Sequence, residues 1–217
     1  MTTLKLIFLL SLISLYSCAQ NTPKYKVDPA AQELDNRAMS MFYFFGNPDS
    51  IGKAISLLDS AIAIDSNYLR AHQDKLTLLL MLKQFDKALL TVNKMISLRP
   101  TALDFYLTRG YLHYRLGDEN SSKADYQKSL TICTNVLDTM SVTNRNYDYL
   151  SLDKAISLIM LGEQDKGNQI IKELYDKQTD STFKEYYGSY LNKNAKEIFE
   201  MLDSPSAEKT SNPIIKN

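Results

Sequence analysis

The sequence predicts an all-α protein: a right-handed helix-turn-helix solenoid of about four units, closed by a further helix at the carboxyl end. One ground is a register. Ala54, Ala88 and Ser122 share a column 34 residues apart, and Leu58/Val92/Tyr126, Ala61/Met95/Ser129 and Ile62/Ile96/Leu130 repeat with the same step and no gap. A second is the spacing between columns, four, three and one residues, which is the buried stripe of a single helix. The third is composition: 44% hydrophobic and 23% charged residues, with seven Gly, six Pro and no Trp in 217 residues, suit a compact helical body. A period of this length means units that bury their apolar faces only by stacking on one another.

The elements follow in chain order. Lys5 and the amino terminus make a positive start, residues 6–15 are an apolar run, and Leu15-Tyr16-Ser17-Cys18 closes it. This reads as a secretory signal over residues 1–17, too short to span a bilayer. Residues 18–30, with Pro23 and Pro29, read as an anchor and flexible tether, and the span from 19 to 30 reaches at most about 40 Å at ~3.3–3.6 Å per residue. Residues 31–202 form the repeat domain. In its units Met41/Phe42/Phe45, Leu76/Leu79/Leu82 and Leu112/Leu116 mark a first helix, and the 34-residue columns mark the second. Asn47-Pro48 reads as an N-cap with proline at the first helical position, and Gly117-Asp118 and Gly162-Glu163 end one helix and start the next.

The fourth unit fits only after extra chain. Leu161-Gly162 aligns with Leu116-Gly117 at a step of 45, so about 11 residues are inserted near 134–146. Val136, Leu137, Met140 and Val142 there belong either to a binding loop or to an extended helix. Residues 181–202 are expected to form one amphipathic helix, with Phe183, Tyr187, Leu191, Ile198 and Leu202 on a single face, capping the last unit. Residues 203–217, rich in Ser, Pro, Lys and Asn, read as a disordered tail.

At Ala71, Leu76, Leu79, Phe85, Ala88, Val92, Ile96 and Pro100, and again at Tyr106, Gly110, Leu116-Gly117-Asp118 and Tyr126, the chain resembles the tetratricopeptide repeat family. The resemblance covers roughly residues 35–177, with Ser66 and Gly167 departing from the family's proline and alanine. It implies a concave face lined by first helices that holds an extended peptide or a partner's helix. Carried over, its inward columns are Met39, Gln73, Leu107 and Leu152, then Tyr43, Thr77, Tyr111 and Ile156, flanked by Arg70, Tyr114, Arg115 and Tyr149. The Lys and Asn with which some members clamp a terminal carboxylate are absent from these columns. The tyrosines and arginines suit an apolar or aromatic peptide, because both side chains combine contact area with hydrogen bonding.

Residues 15–18 resemble the bacterial lipoprotein box, which implies lipidation at Cys18 and a Gram-negative source. Ala19 is not the aspartate that retains lipoproteins at the inner membrane, and no acidic cluster follows Cys18. The resemblance therefore implies the cell envelope, with the outer membrane's periplasmic face as the expected location. The other cysteine, Cys133, has Ile132 of an apolar column beside it and reads as a buried thiol.

Charge and motif content narrow the function. Twenty-five basic and twenty-five acidic residues give no net charge, so neither nucleic acid nor an anionic membrane surface is favoured. His72 and His113 are the only histidines and fall near packing columns. No metal-ligand spacing, phosphate loop or nucleophile elbow is present. Ser50-x-x-Lys53 and Ser151-x-x-Lys154 match a hydrolase pattern without its companion motifs. Asp49-Ser50-Ile51, Asp59-Ser60-Ala61, Asp138-Thr139-Met140 and Asp180-Ser181-Thr182 resemble bacterial O-glycosylation triplets. The expectation is a non-catalytic scaffold without cofactor or small-molecule substrate, binding an envelope protein or peptide and held to the membrane by lipid. The alternative is an accessory subunit or cryptic hydrolase in peptidoglycan or peptide processing.

Overall fold

The computed structural model describes residues 25–41 and 47–203, and among these it contains ten helices and no strand. They pair in order. α1 (Pro29–Ser40) packs with α2 (Pro48–Ile64), α3 (Leu69–Met81) with α4 (Phe85–Leu98), α5 (Leu103–Arg115) with α6 (Glu119–Leu137), and α7 (Tyr147–Met160) with α8 (Gln164–Lys177). Consecutive pairs also pack on one another, giving the stacked array that the 34-residue register predicts. The columns face inward: Ala54, Ala88, Leu58, Val92 and Ala61 are fully buried, and Ser122, Tyr126, Met95 and Ser129 nearly so. Small residues recur because two helix backbones approach there. Ser122 adds a hydroxyl that donates to the Gly110 carbonyl at 2.8 Å across the pair.

Three of the hairpins turn by one device. Lys83, Gly117 and Gly162 adopt positive φ of 53°, 82° and 88°. The next residue's amide then reaches back five positions, Gln84 to Leu79, Asp118 to His113 and Glu163 to Leu158, each at 2.9 Å. This satisfies a carbonyl that the helix end would leave bare and folds the following helix back antiparallel. Glycine takes this conformation freely, whereas Lys83 bears its cost.

The array departs from a uniform step at both ends. From Leu69 to Leu103 is 34 residues, but from Pro29 to Leu69 is 40 and from Leu103 to Tyr147 is 44. The first helix lies earlier than expected: Met41 is already its C-cap, and Asp28 caps its start by accepting from the Ala30 amide at 2.8 Å. Phe42 and Phe45 lie outside the described residues, as do Cys18 with the leader, Tyr43, and the tail beyond Asp203. Residues 25–28, expected to be free tether, are tied down: Tyr25 Oη donates to Asp65 at 2.5 Å and the Asp28 amide to the same carboxylate at 3.1 Å. The insertion is part helix and part loop. α6 extends to Leu137, and exposed turns follow to Asn146, with Val142 70% exposed.

The carboxyl end corrects the expectation of one continuous helix. α9 (Ser181–Gly188) and α10 (Ala195–Asp203) are separate, and Asn192 between them has φ 60°. Asp180 caps α9 through the Thr182 and Phe183 amides, while Asn194 and Glu197 cap α10 reciprocally at 2.8 and 3.0 Å. α9 packs on α8 and buries Tyr187, which covers the last pair as a cap should. α10 goes elsewhere.

Candidate functional site on the inner face

The first helices of the third and fourth pairs, α5 and α7, present Leu107, Tyr111 and Ile156 as half-buried apolar surface and Leu152 as core. α10 lies on this surface. Its inward side chains, Ile198 and Phe199, are buried, whereas Lys196, Glu200 and Leu202 face water. The Phe199 ring stacks on Tyr114 with centroids 3.7 Å apart and planes within 6°, and meets Tyr111 at 6.1 Å. One turn on, Asp203 accepts from the Tyr111 hydroxyl at 2.5 Å and pairs closely with Arg115 Nη1. Residues four apart share a helix face, so one side of α10 offers a ring and a carboxylate together.

The receptor residues are themselves organised. Arg115 lies over the Phe85 ring at 4.3 Å to its centroid, and Phe85 stands edge-on to Tyr111 at 6.2 Å. Arg115 also donates to Tyr111 Oη at 3.1 Å. The guanidinium is thus held over one aromatic face with a hydroxyl beside it, and it pairs with an anion. Burial, with the Asp203 carboxylate next in importance, pushes the Tyr111 hydroxyl up to about 12, so it stays a proton donor at neutral pH.

Of the residues expected to line the groove, the fold brings Tyr111, Tyr114 and Arg115 together with Leu107 beside them. Arg70 belongs to a different cluster at the amino end, 3.3 Å from the fully buried Asp35 and 3.5 Å from Asp74. There Tyr68 Oη donates to Asp35 at 2.6 Å, and burial together with the neighbouring Asp35 carboxylate pushes Asp74 up to about 6. Gln73 and Thr77 are exposed, Thr77 donating to the Gln73 carbonyl within its own helix. Tyr149 does not face the groove partner; it meets Phe183 of α9 edge-on at 6.4 Å. The expectation of an open groove at Tyr111, Tyr114 and Arg115 is corrected by α10, which covers them. Phe85, Phe199 and Asp203 were missed. The phenylalanine and aspartate four residues apart, one turn of an amphipathic segment, were the available signal, but Asp203 reads as the start of a polar tail.

The remaining candidates are locally satisfied. His72 is buried, contacts the Ser66 carbonyl at 3.0 Å, and has its basicity lowered by burial. His113 lies 3.7 Å from Asp125, whose carboxylate is gripped by Arg109 at 2.6–3.1 Å. The Ser151 hydroxyl donates to the Tyr147 carbonyl of the preceding turn at 2.8 Å, beside a shallow cleft of about 220 Å³ that Lys154 also lines. Among the described residues no group of three His, Cys, Asp or Glu side chains could hold a metal ion, and no helix is long and apolar enough to cross a membrane.

Fold and site together define a helical-repeat array with an aromatic and cationic inner face. No protein-family model and no curated protein matches the chain. Among solved structures it is similar to MamA, with 16% identity and a TM-score of 0.46 over 67% of this chain and 77% of that one. It is likewise similar to a tetratricopeptide repeat protein from Parabacteroides merdae, with 15% identity and a TM-score of 0.43 over 85% and 80% of the two chains.

Proposed function

We propose that this chain is a non-catalytic scaffold of the bacterial cell envelope, lipid-anchored through Cys18, that holds a segment of an envelope protein against its inner face. The observation that carries the reading is that this face already receives a helix: Phe199 stacks on Tyr114 while Asp203 engages Tyr111 and Arg115. A ring-plus-charge contact of this kind is how interfaces concentrate binding in a few residues. The envelope part rests on the sequence around Cys18, and several acyl chains would make that attachment effectively permanent at ~0.8 kcal/mol per buried CH₂. Capture from solubilised envelopes tests it, comparing wild type with Tyr111→Ala/Arg115→Ala. A partner retained by wild type and lost by the double variant is expected; equal recovery would remove the inner face from the function. Cys18→Ala should move the protein from the membrane to the soluble fraction, and an unchanged distribution would overturn the anchoring.

A further inference from the structure

α10 is held by side-chain contacts along one face: those just described, Ile198 in the core, and Ala195 and Met201 packed against it. It has nine residues, too few to be stable alone in water, and its outer face is solvated, with Glu200 and Lys196 side chains 64% and 80% exposed. Its own capping box satisfies its first turn from within the segment. The bend before it turns at the left-handed Asn192, while α9 has its own packing on α8. Lifting α10 leaves α9 on α8 but uncovers the side of the core that Ile198 and Phe199 close next to Tyr187. The surface beneath it would then display an uncompensated guanidinium set against Phe85 and Tyr111, with the Tyr114 ring face bared where Phe199 had stacked. Such a surface favours one chemistry: a flat apolar ring and an anion about one helical turn apart.

We propose that α10 is an intramolecular stand-in for the partner, and that the partner's segment is a helix bearing an aromatic side chain followed four residues later by a carboxylate, which binds by displacing α10. This rests on the scaffold reading and gives its partner a chemistry. Tethering raises the local concentration of α10 to about the millimolar range, so the free face is a minority state and the wild-type chain's apparent affinity is reduced in proportion.

The test is fluorescence anisotropy on the full chain with a labelled, end-blocked nonapeptide of the sequence of residues 195–203. A variant with the latch opened, Phe199→Ala/Asp203→Asn, should bind this probe about tenfold or more tightly than wild type. Adding Arg115→Glu should weaken that binding by about ten- to a hundredfold, and a probe with lysine in place of its aspartate should recover it. The charge exchange keeps the test valid if opening the latch harms folding, since Arg115→Glu alone in the wild-type chain should also release α10 and admit the lysine probe. Far-UV circular dichroism melts monitor each variant. Equal probe binding by wild type and opened variant, or binding indifferent to Arg115→Glu, overturns the proposal. So does a concentration-dependent wild-type dimer abolished by opening the latch, which would make a second copy's α10 the occupant. An envelope partner captured through Tyr111 and Arg115 but not displaced by excess probe would leave the scaffold standing and remove this chemistry. Probe binding as described with no partner captured would remove the scaffold reading instead.

Discussion

Replacing Gly167 by alanine adds one methyl group to a helix, a change that usually stabilises, and here it should do the opposite. Gly167 lies in the first turn of α8 where that helix crosses α7. A Cβ built there falls 2.5 Å from Ile159 Cγ1 and 2.6 Å from the Ala155 carbonyl oxygen. Carbon atoms pack at ~3.5–4.0 Å, so the helices must separate by about 1 Å. The Ile159 side chain can rotate, but the carbonyl is backbone and cannot. Overpacking of this sort costs ~1–3 kcal/mol, and two simultaneous contacts place it at the upper end. Alanine's helix propensity offsets ~1 kcal/mol, leaving a net loss of ~2 kcal/mol. In a chain of this size that is a fall in Tm of about 4–8 °C. Gly52 in α2 is the control, since nothing lies within 4 Å of its added Cβ. Gly52→Ala should gain ~0.5–1 kcal/mol from propensity alone. Thermal and urea unfolding of both variants, followed by circular dichroism, decide the matter. A Gly167→Ala protein as stable as wild type, beside a stabilised Gly52→Ala, would refute the close α7/α8 approach.

Other positions carry independent tests. Lys83→Gly should raise stability by ~1 kcal/mol, because Lys83 alone among the three equivalent turn positions occupies the left-handed region with a side chain; a lower urea midpoint would contradict the shared turn. Asp153 of α7 is pushed up to about 7 by burial and then by Asp104, with Tyr186 and Tyr190 close by. Its charged form is disfavoured in the fold, so this contribution to stability is full below pH ~4, declines between ~4 and 7 and is flat above, by at most ~4 kcal/mol since water reaches part of the side chain. Asp153→Asn should therefore be more stable than wild type at pH 8 and not at pH 4, and a difference independent of pH would refute the assignment. Cys133 is fully buried, donates to the Leu150 carbonyl at 3.0 Å and is pushed up to about 12 by burial. A thiol reagent should label it only at the rate of unfolding, and rapid labelling of the native protein would show an opening absent from this packing.

Where sequence and structure agree, the cause is periodicity. The Ala54, Ala88 and Ser122 column is legible because helix pairs meet at the same place in every unit, and the partner surface of each column is another copy of the same pattern. Gly117 and Gly162 are legible as turns for a similar reason, whereas Lys83 makes the identical turn without a residue that announces it. The first helix lies earlier than the 34-residue step predicts because the chain between α1 and α2 is longer than in the later pairs. The site was legible from one side only. Tyr111, Tyr114 and Arg115 stand in the expected columns, but what covers them comes from 88 residues further along, as between Arg115 and Asp203. No local pattern encodes a contact of that separation, and the break at Asn192 that permits it lies inside an otherwise continuous amphipathic run.

The clip at the amino end has a mechanical meaning. Tyr25 and Asp28 both bond the Asp65 carboxylate, in the turn joining the first pair to the second, and the Tyr25 hydroxyl holds that carboxylate below the usual range. The start of α1 is therefore fastened to the turn between the first and second pairs. A pull at Tyr25 would thus be shared between the first turn of α1 and the junction of α2 and α3, so that the first two pairs resist it together.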